Sequence, residues 1–293
     1  MKKQLSILLP TYNCRCVELV QELHRQCEEE QNLTNYEIIV ADDCSSEQTF
    51  VVENSVIEEL YHVSYIKRTT NIGRSAIRNF LASQAHYEWL LYIDGDLSLC
   101  NPYFISNYLS TQGLVIVGGI EIENNDEKWK DNLRYRYEKK CEALHNASHR
   151  QQHPTKEFRT TNFLISKQVI QECPLDEHFK HYGYEDVLFG KSISQKGYNI
   201  VHIDNPILLN DFEDNYHFLL KIEESCRTLF CFRNELQGYS TLIDYAQKLS
   251  WLQPLIKKCY PLFGLHIKSK IIGNKPSVLW FNIYKLLYYI HLS

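Results

Sequence analysis

No pair among the ten cysteines of this 293-residue chain has C-x-x-C spacing, which argues against a zinc site. No stretch of about 18 apolar residues occurs, so nothing reads as a membrane-spanning helix. The basic opening Met1-Lys2-Lys3 is followed only by the short apolar run Leu5–Leu9, which meets Pro10. That run predicts a strand and is too short for a signal peptide. Positive charge is also lacking: the formal net charge is −5, which gives no support for a general nucleic-acid binder. The turn after the first run has no glycine. Pro10-Thr11-Tyr12-Asn13-Cys14 stands where a dinucleotide-binding fold would place G-x-G-x-x-G and a P-loop enzyme G-x-x-x-x-G-K-[ST]. A bound nucleotide therefore needs something other than a glycine turn for its phosphates. The scattered thiols, several in apolar contexts where they simply pack, point to a reduced, cytoplasmic protein.

What is present is an ordinary globular composition, 44% hydrophobic and 23% charged, in a chain long enough for one large domain or a domain with an appendage. The stretch that organises the rest is Tyr87-Glu88-Trp89-Leu90-Leu91-Tyr92-Ile93-Asp94-Gly95-Asp96. Its apolar run reads as a strand buried on both faces of a parallel sheet. It stops at two carboxylates separated by one glycine. Such groups repel each other and must stay solvated or bind a cation. A hard divalent ion, Mn²⁺ or Mg²⁺, takes one or two carboxylates and fills its remaining positions with water and phosphate oxygens. A plain Asp-Gly turn is the simpler alternative.

Further strands are expected at Leu5–Leu9, Tyr36–Ala41, Val63–Ile66, Leu114–Gly118, Thr160–Ser166 and Tyr198–Ile203. Between them, Cys16, Leu19, Val20, Leu23 and Cys27 recur at helical spacing. Ser45-Ser46-Glu47-Gln48 offers a capping box for a helix through about Leu60. Ser75 offers a cap for a helix over Ala76–Ser83, and Asn101-Pro102 a helix start. Trp129, Leu133, Tyr137, Cys141 and Leu144 carry helical spacing through an otherwise polar region, Glu121–Arg159, with no strand pattern. Arg150–Lys156 reads as a mobile loop, Lys167–Glu172 as a short helix, and a further helix runs to about Gln195 before Gly197. The β-α alternation predicts a doubly wound, mostly parallel α/β sheet whose ligands sit at the carboxyl ends of its strands. Asp42-Asp43 and Asp94-Gly95-Asp96 both end strands, so both acidic pairs are expected on one edge.

With those residues in view, the chain resembles family 2 glycosyltransferases of the GT-A fold. Leu8-Leu9-Pro10-Thr11-Tyr12-Asn13 looks like the opening strand. Val40-Ala41-Asp42-Asp43-Cys44-Ser45 looks like V-D-D-G-S with Cys where Gly is usual. Asn71-Ile72-Gly73-Arg74-Ser75-Ala76-Ile77-Arg78-Asn79 looks like N-x-G-x-x-x-A-R-N with Ile at one place, Asp94-Gly95-Asp96 like D-x-D, and Gly183-Tyr184-Glu185-Asp186 like the later G-x-E-D. The resemblance implies inverting transfer of a sugar from a nucleoside diphosphate donor. It implies that Pro10, Thr11, Tyr12, Asp43, Arg74, Arg78, Asp94 and Gly95 surround the nucleotide, that Asp94 and Asp96 serve the metal, and that Asp186 is the general base with Glu185 beside it. A carboxylate at Asp43 can accept from a base imide N–H, which favours uridine over cytidine nucleotides. Related enzymes often add a histidine ligand after the strand that follows the E-D motif. Here Asn205–Asp211 holds none, and Asn210 or Asp211 stands in as an oxygen ligand, or water does. His202 and His217 are expected to be packed or exposed.

Beyond Gly238 the composition changes: seven lysines face one acid, Asp244, with aromatics interleaved. Residues 1–237 are expected to form the transferase domain, with a nucleotide-binding half to about 120 and an acceptor half after it. Residues 238–293 are expected to form a helical segment. Two readings of that segment stand side by side: a peripheral membrane contact at the inner face of the cell membrane, suited to a lipid-linked acceptor, and a helical cap. Two other functions compete with glycosyl transfer to a glycan or lipid-linked acceptor of the cell surface. One is a catalytically weak or inactive nucleotide-sugar-binding protein. The other is a sugar nucleotidyltransferase, disfavoured by the absence of a glycine- and Lys/Arg-rich loop after the first strand.

Overall fold

A computed structural model describes residues 2–293. The first strand, β1 (Gln4–Thr11), is followed by α1 (Val17–Glu29), β2 (Asn35–Asp42), α2 (Gln48–Asn54), β3 (Val63–Lys67), α3 (Arg74–Gln84), β4 (Trp89–Ile93), α4 (Phe104–Ser110) and β5 (Val115–Val117). After these come β6 (Ile120–Ile122), α5 (Asp126–Trp129), α6 (Leu133–Cys141), α7 (Ala147–Arg150), β7 (Asn162–Ser166), α8 (Lys167–Glu172), α9 (Glu185–Gln195), β8 (Ile200–His202) and β9 (Ile207–Leu209). Four helices close the chain: α10 (Asn215–Cys231), α11 (Thr241–Lys248), α12 (Gln253–Ile271) and α13 (Val278–Leu292).

Seven strands form one sheet in the order β3-β2-β1-β4-β7-β5-β8. All pairs are parallel except those of β7, which runs against both β4 and β5. The mostly parallel α/β sheet expected from the sequence is therefore present, with one reversed strand inside it. Burial explains the runs: β1 and β4 are covered on both faces, as continuous apolar strands must be. Tyr92 of β4 stacks on Phe163 of β7, with ring centroids 4.7 Å apart and 5° between their planes. Leu8, Ile39, Leu81, Val117 and Phe189 pack in the same core.

The chain divides into two compact units. One contains the sheet and comprises residues through Glu121, Leu144–Lys180 and Phe189–Asp211. The other comprises Ile122–Ala143, His181–Leu188 and Phe212–Ser293. Its interior is helical: Phe218, Leu219, Ile267, Ile271 and Phe281 form one apolar cluster with Leu133, and Leu229, Leu236, Ile243 and Ile290 another. The helices after Gly238 share this unit with α5, α6, α10 and the His181–Leu188 segment. Among the described residues no helix is long and apolar enough to cross a membrane.

Several local expectations are corrected. The capping box at Ser45–Gln48 is not used: Glu47 occupies the N-cap of α2 without a side-chain bond, and the helix gives way to a 3-10 turn at Ser55–Glu59. Ser75 lies inside α3, buried, and Gly73 is the N-cap. Pro102 precedes α4, which begins at Phe104, so it does not hold the first helical position. Ile120–Ile122 pairs with β9 in a two-stranded sheet, where the polar surroundings hid a strand. Trp129 and Leu133 fall in different short helices.

The Arg150–Lys156 segment is anchored at its start. Arg150 ends α7 and is buried; its guanidinium donates to the carbonyls of Val117, Gly118 and Ile203, and to that of His145 through Nε at 2.8 Å. It also donates to His202 Nδ1 at 2.7 Å. His202 Nε2 then donates to Pro154 O at 3.0 Å. Burial pulls the His202 pKa down to about 4, so the ring is neutral, packed as expected. His217 is exposed and lies 2.5 Å from Asp214 Oδ2.

Candidate active site

The parallel register of β1 and β2 sets Thr11 beside Asp42, and the next N–H, that of Asp43, donates to Thr11 O at 2.9 Å. Buried Asp42 closes the turn that follows: its carboxylate accepts from Ser45 N–H at 2.7 Å and from Ser45 Oγ at 2.5 Å. This bond takes the Ser45 hydroxyl away from the helix it was expected to cap. The turn places Cys44 at φ 63, in the left-handed region that glycine adopts without steric cost. Asn13, also left-handed at φ 49, ties the first loop to this turn. Its N–H donates to Ser45 Oγ at 2.8 Å, and its Oδ1 accepts from Glu47 N–H at 3.0 Å.

Asp43 organises the third loop. One carboxylate oxygen accepts from Ile72 N–H and the other from Gly73 N–H, each at 2.9 Å, while Asn71 Nδ2 donates to its carbonyl at 2.9 Å. Burial raises the Asp43 pKa, and the two N–H groups oppose that rise. Each oxygen keeps a second lone pair for another donor. Tyr12 beside it is exposed and Thr11 is buried.

At the exit of β4, Gly95 N–H donates to Pro10 O at 3.3 Å. A Cβ at position 95 would stand 2.5 Å from Thr11 Cγ2 and 3.2 Å from Pro10 O, so only glycine fits between the carboxylates. Asp94 pairs with Arg78, whose guanidinium is almost fully buried, and Arg74 Nη2 lies 4.0 Å from its other oxygen. Arg78 is itself fixed by donating to Arg74 O at 2.9 Å. Asp96 is exposed at the end of the turn. The nearby Cys14 thiol is pushed up to about 12, first by burial and then by the negative charge of Asp96. Ser98 bridges to Leu208 of β9, and Asn210 Nδ2 donates to Ser98 Oγ at 3.0 Å, which brings Asn210 to the chain segment leaving the acidic turn.

Among the described residues no group of three or more His, Cys, Asp and Glu gathers where it could hold a metal. What Asp94, Asp96 and Asn210 offer is oxygen only. That donor set fits a hard cation that keeps water and accepts phosphate oxygens, and does not fit a closed zinc cage.

In the second unit, Gly183 (φ 103) and Tyr184 (φ 68) are both left-handed. A Cβ on Gly183 would stand 2.4 Å from Ser225 Oγ. Gly183 N–H donates to Glu185 Oε2 at 3.0 Å, so buried Glu185 closes its own approach turn. Asp186 is half-buried at the first turn of α9, with Val187 N–H donating to its Oδ1 at 2.8 Å. The two adjacent carboxylates therefore have different surroundings.

Sequence reasoning assigned no role to Asn79. Its side chain mimics a peptide: Oδ1 accepts from Leu175 N–H at 3.0 Å, and Nδ2 donates to Leu175 O and to Glu177 Oε1, both at 2.9 Å. This fixes, within the first unit, the segment that precedes His181. The residue stood at the end of the N-x-G-x-x-x-A-R-N segment, the only signal that could have found it.

An uncharacterized glycosyltransferase of Haemophilus influenzae is 38% identical over 92 residues, 31% of this chain and 29% of that protein. The poly(ribitol-phosphate) beta-N-acetylglucosaminyltransferase TarS of Staphylococcus aureus is 33% identical over 94 residues, 31% of this chain and 16% of that protein. The matched stretches thus span well under two thirds of these relatives. Among solved structures, S. aureus TarS 1-349 in complex with UDP-GlcNAc aligns with a TM-score of 0.51 at 16% identity, covering 99% of this chain and 91% of that one. The mannosyltransferase PcManGT from Pyrobaculum calidifontis, in complex with GDP-Man and Mn²⁺, aligns with a TM-score of 0.57 at 12% identity, covering 99% and 85%. These likenesses establish the GT-A fold. The family profile of glycosyl transferase family 2 matches residues 6–172, more than half of the sequence, and the chain belongs to that family.

Proposed function

We propose that the protein is an inverting glycosyltransferase that moves a sugar from a nucleoside diphosphate donor, a UDP-sugar, to a hydroxyl of a glycan or lipid-linked acceptor in cell-surface polysaccharide synthesis. The observation that carries this reading is the convergence of Asp43, Arg78, Asp94 and Gly95 on the carboxyl edge of β1, β2 and β4, where such sheets bind ligands. Family membership and the nucleotide sugars named in the solved relatives support the donor class.

Pro10, Thr11, Tyr12 and Asp43 receive the base and ribose, and Arg74 and Arg78 hold Asp94 in place. Asp94, Asp96 and Asn210 would hold Mn²⁺ or Mg²⁺, which supplies charge neutralisation to a leaving diphosphate. Asp186 accepts the proton of the acceptor hydroxyl as that oxygen bonds to the anomeric carbon and the sugar–phosphate bond breaks. Glu185, already bonded to Gly183 N–H, shapes the acceptor side. A lipid-linked acceptor places the protein in the cytoplasm at the inner face of the membrane, with residues 238–293 as the contact.

The test is a panel of nucleotide sugars with Mn²⁺, scored for donor hydrolysis and transfer, on the intact protein and on Asp186→Asn. Expected are turnover of a UDP-sugar, donor affinity preserved in the variant, and transfer lowered about 10² to 10⁴-fold. A protein that binds the donor but turns over none of the panel is instead the non-catalytic nucleotide-sugar binder on this fold.

A further inference from the structure

The second unit carries a surface that donor chemistry does not use. Helix α12 buries one side through Gly264, Ile267 and Ile271. The opposite stripe follows the helical repeat from the preceding turn, through Trp251, Leu255, Lys258, Leu262 and Leu265. Four of those five are large apolar residues, and all five are exposed. Trp251 is 75% exposed, Leu262 76% and Leu265 74%. Phe263 next to them is also exposed. Isolated exposed leucines need no explanation, but four large apolar residues aligned on one exposed face, broken only by Lys258, form a contact surface.

The charge around the stripe selects the occupant. No acidic residue follows Asp244, and Lys248, Lys258, Lys270 and Lys275 are exposed, whereas Lys268 pairs with Glu223 and Lys285 lies over the Tyr137 and Phe281 rings. Lys258 stands within the stripe. In the turn after α12, a groove of about 620 Å³ is lined by Lys130, Arg136, Lys140 and Lys275 against a single acid, Asp131. None of those four cations makes an ion pair with an acid among the described residues. Exposed apolar side chains accompanied by unopposed cations match the interface of a bilayer with anionic headgroups, where the apolar groups enter the acyl boundary and the cations meet phosphate.

We infer that the outer face of α12 is a monotopic docking surface for an anionic lipid bilayer, with the Lys130–Lys275 groove contributing headgroup contacts. This deepens the lipid-linked-acceptor reading and rests on it for its purpose; donor hydrolysis in solution tests that reading separately. The experiment is flotation of the full chain with phosphatidylglycerol–phosphatidylcholine vesicles and with phosphatidylcholine alone. Binding is expected only to the anionic vesicles, weakening as salt rises. Leu262→Asp/Leu265→Asp is expected to lower vesicle partitioning at least tenfold while circular dichroism melting and donor hydrolysis stay unchanged. Lys140→Glu/Lys275→Glu is expected to weaken binding less and to flatten its salt dependence. Failure of the intact protein to float overturns the inference. So does a concentration-dependent dimer, abolished by the aspartate pair, in a protein that ignores vesicles, since the stripe would then be covered by a second copy. Loss of donor hydrolysis in the intact protein with vesicle binding retained would instead remove the proposed reaction and leave the surface standing.

Discussion

The sheet edge of the first unit and the helical interior of the second both fix buried charge, but over different distances along the chain. At the sheet edge the partners are short-range words. Asp42 bonds Ser45 three residues on, and Arg78 bonds the carbonyl of Arg74 four residues back. Even the longer links, Asp43 to Gly73 and Arg78 to Asp94, join motif to motif. In the helical unit, buried Glu223 accepts from Lys268 Nζ at 2.7 Å and from the Tyr284 hydroxyl, 45 and 61 residues away. Burial, and then the Glu223 bond, raise the Tyr284 pKa well above the usual phenol range. Nothing in the sequence around those three residues marks them as a set. Function needs backbone and carboxylates held to one geometry at the strand ends, so its hydrogen bonds recur as local patterns. A helical core needs only that partners meet.

Breaking the charge pair of the first unit gives the largest effect on stability. Arg78→Met leaves the Asp94 carboxylate without its principal partner in a site of low exposure. Removing one member of a buried pair costs about 3–5 kcal/mol. Urea denaturation of this variant is expected to show that loss, with donor affinity falling alongside it. A smaller loss would mean that Arg74 moves in from 4.0 Å to take over the pairing.

Glu223→Gln makes the matching break in the second unit. It keeps the shape and one acceptor oxygen but removes the charge that faces Lys268. The expected loss is about 1–3 kcal/mol, the range for bonds to a charged group. Donor hydrolysis at saturating substrate is expected to be unchanged. A parallel loss of hydrolysis would show that the helical interior governs the donor site.

That contrast sets how far the sequence could be read. Strands β1, β2, β4, β5 and β7 were legible because apolar residues run almost continuously between turn residues, as burial on both faces requires, and the shorter β3 and β8 because each stands between helical patterns in the alternation. Asp43, Arg78, Asp94, Asp186 and the glycines at 73, 95 and 183 were legible as motif members. Their partners were not: pairing of Asp43 with two backbone N–H groups is a matter of loop geometry. Arg150 was misread because a buried arginine satisfied by carbonyls has the same local sequence as a solvated one. The cap at Ser45 failed for a related reason, since its hydroxyl serves the Asp42 carboxylate instead, and the cap at Ser75 failed because α3 already opens at Gly73. The helical unit was least legible, because its elements come from three separate stretches of the chain.

Asp43→Asn sharpens the comparison from the other side. An amide can accept at one oxygen only, so either Ile72 or Gly73 loses its acceptor, at a cost of about 1–3 kcal/mol. The direction with pH follows from burial, which raises the Asp43 pKa in the folded state. A raised carboxyl contributes stability that is fully present below the unfolded value of about 3.9 and is lost as pH rises through the folded value. The advantage of the native protein over Asp43→Asn is therefore expected to be larger at pH 4 than at pH 7 in matched urea titrations. A gap that widens with pH would show that the two N–H bonds outweigh burial.

The smallest expected effect tests strain at the sheet edge against its counterpart in the second unit. Cys44 holds φ 63 and Tyr184 φ 68, conformations that cost a residue with a Cβ roughly 1–2 kcal/mol. Glycine removes that cost but adds about 0.5–1 kcal/mol through the greater freedom of its unfolded chain. At position 44 little else changes, because the thiol is only half-buried and the turn is held by Asp42, Ser45 and Asn13. Cys44→Gly is expected to gain about 0.5–1 kcal/mol, read as a rise in melting temperature by calorimetry. Tyr184→Gly relieves the same strain but deletes a ring that packs against the helical core beside Val187 and Leu188, so it is expected to destabilise. Opposite signs at two equally strained positions would show that the sheet edge tolerates a non-glycine residue at a cost, whereas the segment before Glu185 uses one. A gain at both positions would mean that the Tyr184 ring contributes less to packing than its burial implies.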